Sequence, residues 1–216
     1  MNDSGRLSVA EVSDGLSKDF RQLVGRVGAH YRTADFASAL ALAQSIGAAA
    51  DEINHHPDLR IGWGYVEVWV SSHDVGGITA RDLRLAEHVA HIATQHGATA
   101  EPHRLVTVEL GLDTPESADV APFWAAMLGW EIDANGEIAA PPYTAPTLWW
   151  QDTDAHETPR QRWHLDIWVP ADLAQQRVEA AAAAGGTLVD ESHAPSFWVL
   201  EDAQGNRGCI CSVADR

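Results

Sequence analysis

Basic residues are scarce in this chain. Its 216 residues carry 14 Lys and Arg against 31 Asp and Glu, a formal charge of −17. The shortage is uneven: residues 1–100 hold 8 basic and 12 acidic side chains (−4), and residues 101–216 hold 6 and 19 (−13). Phosphate contact needs a basic footprint, so neither half reads as a nucleic-acid binder. Acidity of this kind ordinarily serves solubility. Long apolar runs are also missing, and none approaches the length of a membrane span, so no membrane association is expected. Met1 to Ala10 is polar and lacks the basic-then-apolar order of a signal peptide. There are only two cysteines, Cys209 and Cys211. Alternate residues of a strand share a face but are poorly placed to bridge each other. Two reduced thiols in a cytoplasmic protein are the expectation.

What is present divides into two parts. Residues 1–18 form a polar lead-in with room for a short helix. The stretch Phe20–Arg32 has apolar residues on either side of Gly25 and predicts a strand pair with a tight connection. Phe36, Ala39, Leu40, Ala43, Ile46, Ala50 and Ile53 recur at helical spacing, predicting a helix over about 35–53 with Thr33 or Asp35 as its cap. In W-G-Y-V-E-V-W-V-S-S-H (63–73), Val66, Val68 and Val70 alternate with polar and aromatic residues, as in a strand. Trp63, Tyr65 and Trp69 then lie on its other face. That is too much aromatic surface to leave in water, so a second subunit or the second domain should cover it. After Gly76-Gly77, Thr79 caps a further helix, with Asp82 as its capping-box partner. The order predicts a two-layer α+β domain over residues 1–100, an antiparallel sheet with helices on one face.

Histidine is plentiful, 11 in all, so some clustering is expected by chance. His88, His91 and His96 read as helix-surface and helix-end residues. His55, His56 and His73 differ. D-E-I-N-H-H-P (51–57) places two histidines where Pro57 forces the chain out of helical geometry. Trp63, His73 and Asp82 follow at fixed intervals. This run resembles the signature of the pterin-4a-carbinolamine dehydratases: an acidic residue, His-His-Pro, an aromatic, a histidine and an aspartate. S-H-D-V-G-G-I-T-A-R-D-L-R-L-A downstream is similar to the family's text as well, and the resemblance covers about residues 19–96. Trp63 stands where tyrosine is common and Ser72 where threonine is common; both keep the chemistry.

The resemblance implies dehydration of a 4a-hydroxytetrahydropterin to quinonoid dihydropterin, without a cofactor. The reaction removes hydroxide from C4a and a proton from a ring nitrogen, and histidine titrates where both transfers are feasible. The resemblance places His55, His56 and His73 in the site. His55 and His73 are taken as the acid–base pair and His56 as a pterin-positioning residue, with Ser72 and Trp63 binding substrate and Asp51 either binding substrate or orienting a histidine. Asp82 is included, although its capping box accounts for it fully. A zinc site built from these residues is disfavoured, because adjacent His55 and His56 point apart and no H-x-x-x-H or C-x-x-C spacing exists.

Pro102 interrupts the pattern near 99–103, and the sequence then half-repeats itself. A strand at 105–110 precedes a helix opened by Asp113-Thr114-Pro115 and closed by Gly129. A strand at 163–169 precedes a helix after Pro170, closed by Gly185-Gly186. Further strand-like pieces lie at 147–151, 196–200 and 209–213. P-F-W-A-A-M-L-G-W (122–130), R-W-H-L-D-I-W-V (162–169) and E-D-A-Q-G-N (201–206) resemble a glyoxalase-like domain of the vicinal-oxygen-chelate superfamily. That implies a paired βαβββ domain over 104–216. The metal positions of metal-bearing relatives fall on Glu109, His164 and Cys209. Cysteine is no substitute for a hard-ion carboxylate, so these remain weak candidates and no metal is expected.

The resemblance also implies a homodimer and a role in recycling pterin for an aromatic amino-acid hydroxylase. Two other classes of function stay open at this stage. One is a pterin- or protein-binding adaptor, since relatives serve as dimerisation cofactors of a transcription factor. The other places the main chemistry in the glyoxalase-like half.

Overall fold

The computed structural model describes residues 5–128, 131–133, 136–139, 146–155, 163–183, 185–201 and 207–215. The chain divides into two compact units, Met1–Leu105 with Val213–Arg216, and Val106–Ser212. Among the described residues no helix is long and apolar enough to cross a membrane.

The first unit opens with α1 (Val9–Gly15), whose Ser8 and Glu11 close a capping box. Strands β1 (Arg21–Leu23) and β2 (Arg26–Arg32) follow. The turn between them puts the positive φ on Val24 (φ 54) rather than on Gly25. Helix α2 (Phe36–Ile53) is capped by Asp35, whose carboxylate accepts from the Ser38 N–H. Strands β3 (Asp58–Gly62) and β4 (Tyr65–Val70) form a hairpin through Trp63-Gly64, where Gly64 supplies φ 80. Helix α3 (Ala80–Gln95) starts on the Thr79–Asp82 capping box, and the short β5 (Thr99–Ala100) ends the unit. The sheet runs β1-β2-β4-β3, with β5 beside β2, and every pairing is antiparallel.

Period-two alternation puts Ala29, Tyr31, Val66, Val68 and Val70 on one face, buried against Leu42, Ile46, Leu85 and Val89 of the helices. The apolar stripe of α2 differs from its sequence expectation. Phe36 and Leu40 are exposed, and Leu42 is buried in their place. Strand β3 was not expected at all. It is a short edge strand directly after Pro57, with too few alternating residues to signal itself. On the outer face Trp69 is only 3% exposed. Its ring lies over Gly28, where a Cβ would come within 2.5 Å. The Arg26 guanidinium sits 4.0 Å above it and Glu67 accepts its indole N–H at 2.7 Å. Residues of its own domain therefore hold Trp69, whereas Trp63 is 76% exposed.

The second unit is two copies of one motif. Its first copy is β6 (Thr107–Thr114), α4 (Ser117–Leu128), β7 (Glu131–Ile132), β8 (Ile138–Ala139) and β9 (Thr147–Asp152). Its second is β10 (Trp163–Trp168), α5 (Ala174–Ala183), β11 (Thr187–Asp190), β12 (Phe197–Glu201) and β13 (Arg207–Cys211). The single sheet has the order β11-β12-β13-β10-β6-β9-β8-β7. Each copy closes with a parallel pair, β6 with β9 and β10 with β13, and the copies join antiparallel through β6 and β10. This is the expected paired βαβββ arrangement. Asp113 and Thr114 end β6 rather than open the helix, which begins at Ser117. Gly129 and residues 202–206, which carried part of the sequence reading, lie outside the described residues.

Candidate active site

Helix α2 ends in a tight cap. Asn54 takes the left-handed conformation (φ 48, ψ 46) and its N–H bonds the Ala50 and Asp51 carbonyls. Asn54, ahead of Pro57, therefore turns the chain out of the helix. The two histidines that follow point to different surroundings. His55 is buried and His56 is exposed.

The His55 Nε2–H donates to Asp82 Oδ1 at 2.8 Å. Asp82 is fully buried and its other oxygen collects three donors: the Ser72 hydroxyl at 2.7 Å, the Thr79 N–H at 2.6 Å and the Thr79 hydroxyl at 3.2 Å. Burial penalises this carboxylate, but the bonds from His55, Thr79 and Ser72 outweigh that penalty and hold its pKa below the ordinary value. A carboxylate only accepts, so a proton lies on His55 Nε2, and the neutral form of the ring carries its lone pair on Nδ1. The capping box is thus half of what Asp82 does. Its second oxygen starts α3, and its first orients His55.

His73 follows Ser72 directly and opens a 3-10 turn, His73–Val75, as an exposed residue. The bridge between Ser72 and Gly77 pins that turn to the end of β4. His56 Nε2 lies 3.0 Å from Asp51 Oδ1, both on the surface. The structure therefore joins His55, Ser72 and Asp82 in one network, pairs His56 with Asp51, and tethers His73 to the network through its neighbour.

Trp63 is set apart. It sits on the β3–β4 turn and lines a pocket with His30, Arg60 and Tyr65, to which none of His55, His56 and His73 contributes. Sequence reasoning missed Asp74 and Arg81. Arg81 donates to Asp74 Oδ1 at 2.6 Å, which holds the Asp74 carboxyl below its usual pKa, and Asp74 is near enough to His55 to feel its charge. Both stood in the quoted S-H-D and A-R-D strings, where only their neighbours drew notice.

In the second unit the three metal candidates separate. The Glu109 carboxylate is taken by the Trp168 indole N–H. His164 and Cys209 do meet, with Asp166 as third member, their nearest donor atoms all within 4.8 Å. His164 Nδ1 lies 3.2 Å from Asp166 Oδ1 and its Nε2 lies 3.6 Å from Asp113 Oδ1. Trp149 packs edge-on against the ring at 5.4 Å, and Gly111 leaves room for it. Hydrogen bonds to Asp166 and Cys209 push the imidazole pKa up to about 10. The Cys211 bond and the His164 bond pull the Cys209 thiol down to about 6 against its burial. With Glu109 engaged elsewhere, the set does not fit a hard, oxygen-preferring ion. It reads as an imidazolium–thiolate pair oriented by Asp166.

Comparison with known proteins agrees with both units. The family model described as pterin 4 alpha carbinolamine dehydratase matches residues 6–92, and the model described as glyoxalase-like domain matches residues 109–211. A protein of Thermosynechococcus vestitus, provisionally named a pterin-4-alpha-carbinolamine dehydratase, is 34% identical over 90 residues, which are 41% of this chain and 95% of that protein. One of Natronomonas pharaonis with the same provisional name is 45% identical over 65 residues, 29% of this chain and 71% of that protein. A crystal structure of a transcriptional coactivator/pterin dehydratase from Brucella melitensis is similar at a TM-score of 0.39 and 21% identity, covering 41% of this chain and 99% of its own. Through its first unit the chain belongs to the pterin-4a-carbinolamine dehydratase family, and residues 109–211 match the glyoxalase-like domain model.

Proposed function

We propose that the first unit dehydrates a pterin-4a-carbinolamine to the quinonoid dihydropterin and water, by histidine acid–base catalysis. The observation that carries this reading is the His55–Asp82 hydrogen bond at 2.8 Å, inside a carboxylate network in which Ser72, Thr79, Asp82 and His55 are all buried. A carboxylate behind an imidazole fixes its tautomer and stabilises the imidazolium formed when it accepts a proton. His55 is therefore the base that takes the ring-nitrogen proton at Nδ1. His73, exposed on the adjoining turn, is the acid that protonates the departing C4a hydroxyl so that it leaves as water. His56, held by Asp51, positions the pterin ring.

Recycling of pterin for an aromatic amino-acid hydroxylase, a cytoplasmic location and a homodimer belong to the same proposal. Their support is the family membership and the standing of Cys209 and Cys211 outside any disulfide. The glyoxalase-like unit is proposed as a binding or bracing domain rather than a metal enzyme, since Glu109 is committed to Trp168.

Variants of the full-length chain test the assignment of roles. His55→Ala and His73→Ala should each lower the dehydration rate, with opposite limbs of the pH–rate profile affected. Profiles that lose neither limb would show that the histidines act otherwise.

A further inference from the structure

The outer face of the first sheet carries a pocket of about 410 Å³, to which none of His55, His56 and His73 contributes. Residues alternate across a sheet, so β2 and β4 present His30, Arg32, Tyr65 and Glu67 on the side away from α2 and α3. We propose that this pocket binds a planar aromatic carboxylate.

Its floor is a stacked pair. The rings of His30 and Tyr65 lie 5.3 Å apart and 13° from parallel. Trp63 stands at the rim on the hairpin turn, 76% exposed, an apolar ring left in water beside an aromatic floor. A ligand ring in this pocket can stack on the exposed Trp63 indole. His30 itself is 7% exposed, and its buried Nδ1 has no hydrogen-bond partner. The nearest carboxylate oxygen, Glu101 Oε2, stands off at 3.8 Å. Burial holds this imidazole's pKa below its ordinary value, so the floor is neutral at pH 7.

The charges around the floor are unequal in availability. Arg32 and Arg104 share one carboxylate, with Nε atoms 2.9 and 2.7 Å from the two oxygens of Glu101. Glu67 is engaged by the Trp69 indole. Arg60 faces Glu67 across the β3–β4 ladder, yet its side chain makes no ion pair, hydrogen bond or ring contact among the described residues. The pocket thus carries three guanidiniums against two carboxylates, a local excess of one positive charge on a chain of net charge −17. A cation would be repelled there. A phosphate dianion would call for more than one uncommitted donor. One free guanidinium beside aromatic surfaces matches a single carboxylate, which it can hold with two parallel N–H bonds. The volume suits a ligand of one or two rings.

Isothermal titration of the full-length chain with benzoate, benzyl alcohol, acetate and inorganic phosphate tests the proposal. Benzoate should saturate one site per chain, while benzyl alcohol, acetate and phosphate each bind about tenfold or more weakly. Arg60→Gln and Trp63→Leu should each weaken benzoate by about tenfold or more. Arg60→Gln should leave the dehydration rate unchanged, and His55→Ala should leave benzoate binding unchanged. No saturable benzoate binding, equal binding by Arg60→Gln, or phosphate binding as tightly as benzoate would overturn the proposal. So would loss of benzoate binding in His55→Ala, which would place the ligand in the histidine site.

Discussion

His55 and Asp82 stand 27 residues apart in the chain, and their side chains meet at 2.8 Å. One ends α2 and the other begins α3, so the packing of the two helices on one sheet face sets the geometry of the site. Asp82 shares its carboxylate between capping α3 and orienting His55, and the two can be separated experimentally.

Replacing His55 or His73 by alanine should slow dehydration by roughly a hundredfold, the usual effect of losing a general acid or base. Asp82→Asn should cost less, about tenfold, and should move the pH profile, because the amide no longer stabilises the His55 imidazolium. Stopped-flow rates across pH separate these effects. A kcat loss in Asp82→Asn with an unmoved profile would leave Asp82 a structural role only.

Asp82 also predicts acid sensitivity. Its folded pKa lies below the unfolded value of about 3.9, so its stabilising contribution is complete above that value. The contribution disappears as pH falls through the lowered folded value. An acid titration followed by circular dichroism should show the wild type losing structure below about pH 4. Asp82→Asn should be less stable at pH 7 and less dependent on pH across that window. Asp82→Ala should cost about 2–4 kcal/mol, since it removes a cap and leaves Ser72 and the Thr79 N–H without their acceptor.

Cys209 should be alkylated by iodoacetamide as a thiolate, with the rate half-maximal near the pKa of about 6. His164→Ala should move that midpoint upward, toward the ordinary thiol value of about 8.5. Mass spectrometry of modified peptides gives the rate at each pH. A midpoint unmoved by the variant would remove His164 from the pair.

Elemental analysis of protein purified without chelators should find no stoichiometric manganese, magnesium or calcium. The reason is the donor set: Glu109 is bound to Trp168, and what remains around His164 includes a thiol. One such ion per chain, lost in His164→Ala, would contradict the reading.

Much of this was legible in the sequence because it is local. The Thr79–Asp82 capping box, the Asp35 cap and the valine alternation of β4 each depend on residues within a few positions. The spacing of His55, His56, His73 and Asp82 singled out the candidate site without showing its wiring. That Asp82 reaches His55, and that Asp51 instead reaches His56, depends on how α2 and α3 pack. Strands β3, β7, β8 and β11 went unseen, being two to five residues long and lacking a clear alternation. The pocket under Trp63 was hidden for a similar reason. His30, Arg60 and Tyr65 come from three strands, and only the register of β2, β4 and β3 sets them side by side.

Turnover of a pterin-4a-carbinolamine by this chain is the proposal on which the rest depends. The most direct measurement is the dehydration rate of freshly generated 4a-hydroxytetrahydropterin with the purified full-length chain, in the presence of a chelator. Saturable acceleration is expected, unaffected by the chelator and reduced about a hundredfold in His55→Ala. A rate equal to the uncatalysed one, or equal catalysis by wild type and His55→Ala, would contradict it.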